Sequence, residues 1–167
     1  EGSHKADVVV IGAGIAGLST AFHLARLGKS VAIVEAKEPG SGATGTSGGL
    51  IAPDFIRHNP SDIMDLLGRE RGDRLINMVG SAAQKMFDFI KEQNISCDAS
   101  SDGFWTPAHD DVTFDMLKKR AEEWKERGFR VEYIEGEKLG SSKYIGALHF
   151  ADGGSINPLA LCRGLLE

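Results

Sequence analysis

The spacing of apolar residues along the chain predicts an alternation of strands and helices. Asp7–Ile11 is a short, nearly all-apolar run, the pattern of a strand buried on both faces of a parallel sheet. From Ile15 to Leu27 the period changes. Ile15, Leu18, Ala21, Phe22 and Ala25 recur at three- and four-residue steps, which predicts a helix with one apolar face. Gly28 supplies a stop. Ser30–Val34 is a second apolar run and ends at Glu35. A strand–helix–strand succession this short predicts a right-handed βαβ unit.

Farther on, Arg57-His58-Asn59-Pro60 reads as a polar turn. Ser61 is a candidate cap for a short helix reaching about Leu67. A long amphipathic helix is predicted over Asp73–Gln93, with Leu75, Ile76, Val79, Ala82, Ala83, Met86, Phe87 and Ile90 on its apolar stripe. Gly103–Ala108 predicts a strand. A helix then starts at Asp110 or Asp111 and runs to Arg127, with Gly128 after it. Its charged residues over Lys118–Arg127 read as a solvated face. Strands are predicted at Arg130–Ile134 and Ile145–Phe150, and Asp152-Gly153-Gly154 is a tight turn. Asn157-Pro158 opens a last helix, with Asn as N-cap and Pro in the first position. That helix has just begun where the sequence stops, so the chain is expected to be a fragment of a longer protein.

Composition narrows the function classes. The chain has 167 residues, enough for a core, with 41% hydrophobic and 26% charged residues. A net charge of −5 gives no footprint for nucleic acid. Cys97 and Cys162 fit no metal spacing, and no metal is expected; a reduced, cytoplasmic protein is the expectation. No apolar run reaches transmembrane length, and no signal-peptide core precedes Asp7. Residues 1–4, EGSH, read as an appended leader, so His4 carries no functional weight.

The candidate chemistry begins in the first turn. Gly12-Ala13-Gly14-Ile15-Ala16-Gly17 fits GxGxxG, and it follows a predicted strand and opens a predicted helix. In this pattern Gly12 allows the tight turn and Gly14 lets a pyrophosphate approach the backbone. Gly17 lets the helix pack on the strand. Free amides and the dipole at the helix start favour phosphate charge. Glu35, 18 residues after Gly17, is placed to accept hydrogen bonds from ribose hydroxyls and would repel a 2′-phosphate. Both NAD and FAD remain open at this point. The next stretch, residues 39–53, reads PGSGATGTSGGLIAP, in which nine of fifteen residues are Gly, Ser or Thr. Such a loop offers amides, hydroxyls and close backbone approach to a flat ring and to phosphates. It favours FAD over a plain NAD domain.

The runs VVVIGAGIAGLSTAFHLARLGKSVAIVE and SGATGTSGGL resemble the N-terminal part of the D-amino-acid oxidase/glycine oxidase superfamily of FAD-dependent oxidoreductases. Within it, the chain is similar to gamma-glutamylputrescine oxidase-type amine oxidases. These carry ASGRNGGQ where this chain has Ala43-Thr44-Gly45-Thr46-Ser47-Gly48-Gly49-Leu50. The likeness continues through Gly68-Arg69-Glu70-Arg71-Gly72, Ile95-Ser96-Cys97-Asp98, Tyr144–Leu148 and Asp152–Pro158, so it covers essentially the whole chain. Thr44, Thr46 and Ser47 replace that group's Ser, Arg and Asn. Some relatives link the flavin covalently through a His in this loop; no His lies between Gly40 and Ile56, so the resemblance implies non-covalent FAD.

The resemblance implies a fold class of α/β, with a Rossmann-like dinucleotide-binding domain containing a parallel sheet and the beginning of an α+β substrate domain. Residues 5–100 would be the first part of the FAD domain, 101–150 the first part of the substrate domain, and 151–167 the return toward the FAD domain. It implies oxidation of a small amine or amino acid. A hydride passes from the carbon next to nitrogen to flavin N5, the imine hydrolyses, and oxygen or another acceptor takes the electrons. Catalytic side chains are not identified. Gly12, Gly14, Ile15, Ala16 and Gly17 are expected at the pyrophosphate, Glu35 at the ribose, and Ala36 and Lys37 beside the adenine. Ala43, Thr44, Thr46, Ser47, Gly48, Gly49 and Leu50 are expected along the pyrophosphate, ribityl chain and ring. A second polypeptide carrying the C-terminal half is a candidate partner. Competing readings are an FAD-dependent 2-hydroxy acid or glycerol-phosphate dehydrogenase, and a non-catalytic dinucleotide-binding fragment or subunit. Arg57 and His58 border a substrate entrance or form only a turn; Phe104 and Trp105 wall the substrate or simply pack. His23 reads as structural, and His109 and His149 have no partner at a telling spacing.

Overall fold

The structure is a computed structural model that describes residues 3–140 and 143–167. Two of the leader residues, and residues 141 and 142 of the segment expected to open the substrate domain, lie outside the described residues. In chain order the elements are β1 (Val8–Ile11), α1 (Ile15–Arg26), β2 (Val31–Val34), β3 (Leu50–Ile51), α2 (Pro60–Gly80), α3 (Ala82–Glu92) and β4 (Phe104–Ala108). They continue with α4 (Asp111–Glu126), β5 (Val131–Glu135), a 3-10 turn (Gly136–Leu139), β6 (Gly146–Phe150), β7 (Gly154–Ser155) and α5 (Pro158–Gly164). No helix among the described residues is long and apolar enough to cross a membrane.

The chain forms two compact units. The first contains residues up to Gly49, Ile90–Ala99 and Ile156–Glu167. β1 and β2 pair in parallel, Val8 opposite Val31 and Ile11 opposite Val34, with α1 as the crossover. This is the βαβ unit that the apolar periodicity predicts. Gly28 follows α1 at φ 77°, a conformation that a Cβ disfavours. Ala13, Leu18 and Cys162 form a buried cluster joined by Ile33 and Leu165, so α5 closes the core under the first turn. Asn157 caps α5 through the Ala160 amide at 3.1 Å.

The second unit contains Leu50–Phe89 and Ser100–Ser155. An antiparallel sheet of order β4–β6–β5 packs against α4, and β3 pairs with β7 in a two-residue ladder. Trp124 is fully buried at the centre of this core. It stacks on Phe55 (5.6 Å between ring centroids) and meets Phe129 and Phe150 edge-on.

Four expectations for this unit are corrected. The cap of α2 is Asn59, not Ser61: the Asp62 carboxylate accepts the Asn59 amide at 2.7 Å, Pro60 follows in the first turn, and Ser61 instead pairs with Glu123. Helix starts directly after Gly68, whose φ of 73° and ψ of 169° break it from the preceding turns. The helix expected to be continuous over Asp73–Gln93 is interrupted at Ser81, whose hydroxyl bonds back to the Asn77 carbonyl. The charged stretch Lys118–Arg127 is not uniformly solvated. Arg120 is 2% exposed and lies on one stripe with Leu117, Ala121 and Trp124.

Candidate functional site

The glycine-rich turn and the loop after β2 converge at the N-terminus of α1. Gly12 has φ 100°, and its amide donates to the Val34 carbonyl at 2.7 Å, which ties the turn to the end of β2. A Cβ at Gly17 would lie 2.0 Å from the Gly12 carbonyl oxygen and 3.3 Å from Val10 Cγ1. The helix therefore sits on the strand at a distance only glycine allows. Gly14 is the N-cap of α1, with no side-chain cap, and no acidic residue lies in the first turn. Ile15 and Ala16 are exposed there. No carboxylate of the helix itself thus offsets the positive end of its dipole.

Glu35 is tied to the turn. Its Oε2 accepts the Ala13 amide at 2.7 Å and its Oε1 accepts the Lys37 amide at 3.0 Å. These two backbone hydrogen bonds, Ala13's the larger, hold its carboxyl below the usual glutamate range. A carboxylate has about four acceptor sites, so lone pairs remain on both oxygens for hydroxyl donors. Stabilisation of this kind is complete above the unfolded value, about 4.3, and is lost as pH falls through the lowered folded value. Glu35→Gln is expected to flatten the acid side of a melting-temperature profile between pH 6 and 3. An unchanged slope would remove Glu35 from the turn.

The loop reaches the same place from the other side. Thr44 Oγ1 accepts the Ile15 amide at 3.2 Å, and a Cβ at Gly14 would have Thr44 Oγ1 as its neighbour at 3.6 Å. The Gly40 amide donates to the Ala13 carbonyl at 2.9 Å. The loop also turns on itself. Thr46 bonds to the carbonyls of Gly42 and Ala43, and the Ser47 amide donates to the Thr44 carbonyl at 3.2 Å. Ala36, Lys37, Ala43, Thr46, Ser47 and Gly48 are solvent-exposed. Gly49 is buried at φ 66°. Leu50 belongs to the second unit, where it opens β3 with its side chain 69% exposed.

Other candidates are placed as follows. Arg57 and His58 are exposed. Phe104 packs against the second unit's core. Trp105 is partly exposed and stacks on His149, with ring centroids 4.0 Å apart. His149, which has no partner at a telling spacing in the sequence, meets two across the sheet: that ring and Glu132 at 3.4 Å from Nδ1, cross-strand neighbours in the register of β4, β6 and β5. Sequence reasoning missed a buried group altogether. Arg120 donates to Asn59 Oδ1 (3.0 Å), Asp54 Oδ2 (3.1 Å) and the Ile56 carbonyl (2.7 Å), and Trp124 Nε1 donates to Asp54 Oδ1 (3.0 Å). The signal available was the position of Arg120 on an apolar stripe.

The chain is 32% identical over 167 residues to gamma-glutamylputrescine oxidoreductase of Escherichia coli, covering 95% of this chain and 38% of that protein. It is 32% identical to the probable oxidoreductase OrdL of Haemophilus influenzae, covering 97% of this chain and 38% of that one. The chain therefore spans about two fifths of the length of the curated relatives it matches. Among solved structures, glycine oxidase from Geobacillus kaustophilus has the same fold, with a TM-score of 0.80 at 21% identity, over 98% of this chain and 44% of that one. The family described as FAD dependent oxidoreductase matches residues 7–167, from the first strand onward, and the chain belongs to this DAO family.

Proposed function

We propose that the chain is the N-terminal part of an FAD-dependent oxidoreductase that acts on a small amine or amino acid and holds its flavin without a covalent bond. The observation that carries the reading is the open cradle at the start of α1. Its N-cap is a glycine, its first turn holds no carboxylate, and Thr44 and Glu35 close on it from two sides. These residues fit FAD. In this reading Gly14, Ile15 and Ala16 face the pyrophosphate, with the Thr44 hydroxyl, which accepts the Ile15 amide, beside them, and Glu35 takes the ribose hydroxyls with its remaining lone pairs. Ala36 and Lys37 lie beside the adenine, and the loop Ala43–Gly49 follows the pyrophosphate and ribityl chain. The carboxylate of Glu35 disfavours a 2′-phosphate, which selects against NADP-type ligands. When bound, the flavin supplies the acceptor, at N5, for a hydride from the carbon next to the substrate nitrogen; the imine left behind hydrolyses to a carbonyl compound and an amine or ammonia.

We assign residues 5–100 and 151–167 to the flavin-binding domain and 101–150 to the start of the substrate domain; the compact units differ from these bounds in grouping Leu50–Phe89 with Ser100–Ser155. The amine class rests on the 32% identity to a relative whose name specifies gamma-glutamylputrescine. The reading includes a partner segment equivalent to the rest of the relatives' length. Its support is the sheet of the first unit, where Val9 is 57%, Ile11 87% and Val34 56% exposed. Parallel sheets are covered on both faces, and these apolar side chains lack a cover among the described residues. A reduced, cytoplasmic setting belongs to the same reading, since Cys97 and Cys162 are buried free thiols.

The test is a visible spectrum of the purified protein, taken again on the supernatant after denaturation. Bands at roughly 370 and 450 nm that pass into the supernatant are expected for non-covalent flavin. Turnover with amines and amino acids, assayed beside 2-hydroxy acids and glycerol phosphate, then tests the substrate class. Activity in this reading needs the partner segment, and a protein that neither carries nor takes up FAD with that segment in place would sink the flavin assignment. Turnover of hydroxy acids in place of amines would sink the substrate class.

A further inference from the structure

The cofactor loop rests on α5, and the contacts are specific. A Cβ at Gly40 would lie 3.1 Å from Cys162 Cβ, 3.1 Å from Leu159 Cδ1 and 3.3 Å from Cys162 Sγ. Gly40 is buried and has φ 73°, so this turn is pressed against the helix in a conformation suited to glycine. A Cβ at Gly45 would lie 2.5 Å from the Gly40 carbonyl oxygen and 3.6 Å from Leu159 Cδ1. At Gly49 it would lie 2.1 Å from the Ile156 carbonyl oxygen and 3.1 Å from Pro158 Cδ, and the Ile156 amide donates to the Gly49 carbonyl at 2.9 Å. Three of the loop's glycines thus meet α5 or its lead-in.

Cys162 also belongs to the other half of the cradle. It is fully buried in one cluster with Ala13 and Leu18. Ala13 stands between Gly12 and Gly14 and donates to Glu35, and Leu18 is in α1. One side chain therefore supports both the phosphate turn and the loop that folds over it. Leu159 and Cys162 are three residues apart and share a face of α5.

We propose that Leu159 and Cys162 are positioning residues for FAD: together they form the floor that sets the height of the Gly40–Thr46 loop above the N-terminus of α1. The proposal rests on the FAD reading of the same site. The loop is held on one side by this floor and on the other by the Thr44–Ile15 hydrogen bond. Enlarging the floor lifts Thr44 off the cradle, and shrinking it lets the loop sag. The thiol has no chemical part; burial raises its pKa and keeps it in the unreactive form.

The test measures FAD affinity of the intact chain by quenching of flavin fluorescence, with visible circular dichroism of the bound flavin and thermal melting of the apoprotein. Cys162→Leu is expected to weaken FAD binding at least about tenfold and to change the bound flavin's dichroism. Leu159→Ala, which leaves the deeper core intact, is expected to weaken it about fivefold. The double variant Leu159→Ala/Cys162→Leu exchanges volume between the two positions and is expected to return to within about threefold of the original affinity. Wild-type affinity in a folded single variant would overturn the proposal. So would a double variant that melts like the original yet does not recover FAD. If Cys162→Leu does not fold, Leu159→Ala alone decides the matter. An original chain that takes no FAD would overturn the site reading itself, a different outcome from a floor that does not matter.

Discussion

Arg120→Met is expected to destabilise the protein by about 3–5 kcal/mol, the cost of leaving a buried charge without its partner. Arg120 and Asp54 have side chains 2% and 1% exposed and are 3.1 Å apart. Methionine fills much of the arginine volume, so the cavity is small and the electrostatic effect dominates. The Asp54 carboxylate would keep the Trp124 indole N–H, and Asn59 Oδ1 and the Ile56 carbonyl would each lose the arginine donor. Ile56 adds to the effect. It is β-branched at φ 60°, a conformation its side chain disfavours, and its carbonyl is fixed by Arg120 at 2.7 Å. The check is urea unfolding followed by Trp fluorescence, with Asp54→Asn and the double variant completing a cycle. Asn at position 54 still accepts from Trp124 and carries no charge. The double variant is therefore expected to be more stable than the sum of the singles predicts, by at least about 1 kcal/mol. A loss below about 1 kcal/mol for Arg120→Met would mean that the pair is not the lock of this segment.

That network shows where sequence patterns stop being informative. The βαβ unit was legible because each of its elements is long enough to display a period and is punctuated by glycine; the β1–β2 ends fall within one residue of expectation. Asn157 was legible as a cap because capping is a local hydrogen bond, to Ala160 at 3.1 Å; of the two helix starts expected, Asp110 or Asp111, the structure uses Asp110 as the cap, bonded to Thr113 at 2.8 Å. Arg120 was not legible as buried, because the carboxylate that admits it lies 66 residues away. The β3–β7 ladder spans two residues on each side, too few to show alternation. The break at Ser81 interrupts an apolar stripe that itself continues, so nothing in the periodicity marks it.

The candidate site divides in the same way. Its turn could be read from the spacing of Gly12, Gly14 and Gly17, since the motif is local and each glycine has its own steric reason. The floor under the loop could not be read, because Gly40 and Cys162 lie near opposite ends of the chain and neither has a distinctive neighbourhood. A glycine-rich loop looks the same in sequence whether its missing Cβ atoms make room for a ligand or for the protein. The structure shows which of these positions meet protein. Gly42 and Gly48 have no atom within 4 Å of a built Cβ, whereas Gly45 and Gly49 face backbone carbonyls.

The second large effect is expected at Gly17. Gly17→Ala places a methyl 2.0 Å from the Gly12 carbonyl oxygen. That oxygen belongs to backbone in a turn fixed from two sides, by the Gly12–Val34 hydrogen bond at 2.7 Å and by Glu35 on the Ala13 amide. It cannot swing away as a flexible side chain would. Either α1 rises from β1 or the turn deforms, and both displace the amides of the cradle. Overpacking of this kind costs about 1–3 kcal/mol of stability. The loss of FAD affinity is expected to be larger than that of a stability effect alone, at least about a hundredfold, because the distortion falls on the groups proposed to hold the phosphates. Gly28→Ala is the control. It lies at φ 77° at the far end of α1, with no atom within 4 Å of a built Cβ. It is expected to cost about 1–2 kcal/mol through backbone conformation, while FAD affinity stays near the original value. Titration of both variants with FAD, beside their urea unfolding curves, separates the effects. Equal losses of affinity in the two would assign the effect to stability. A loss confined to Gly17→Ala would assign it to the close approach of helix and turn.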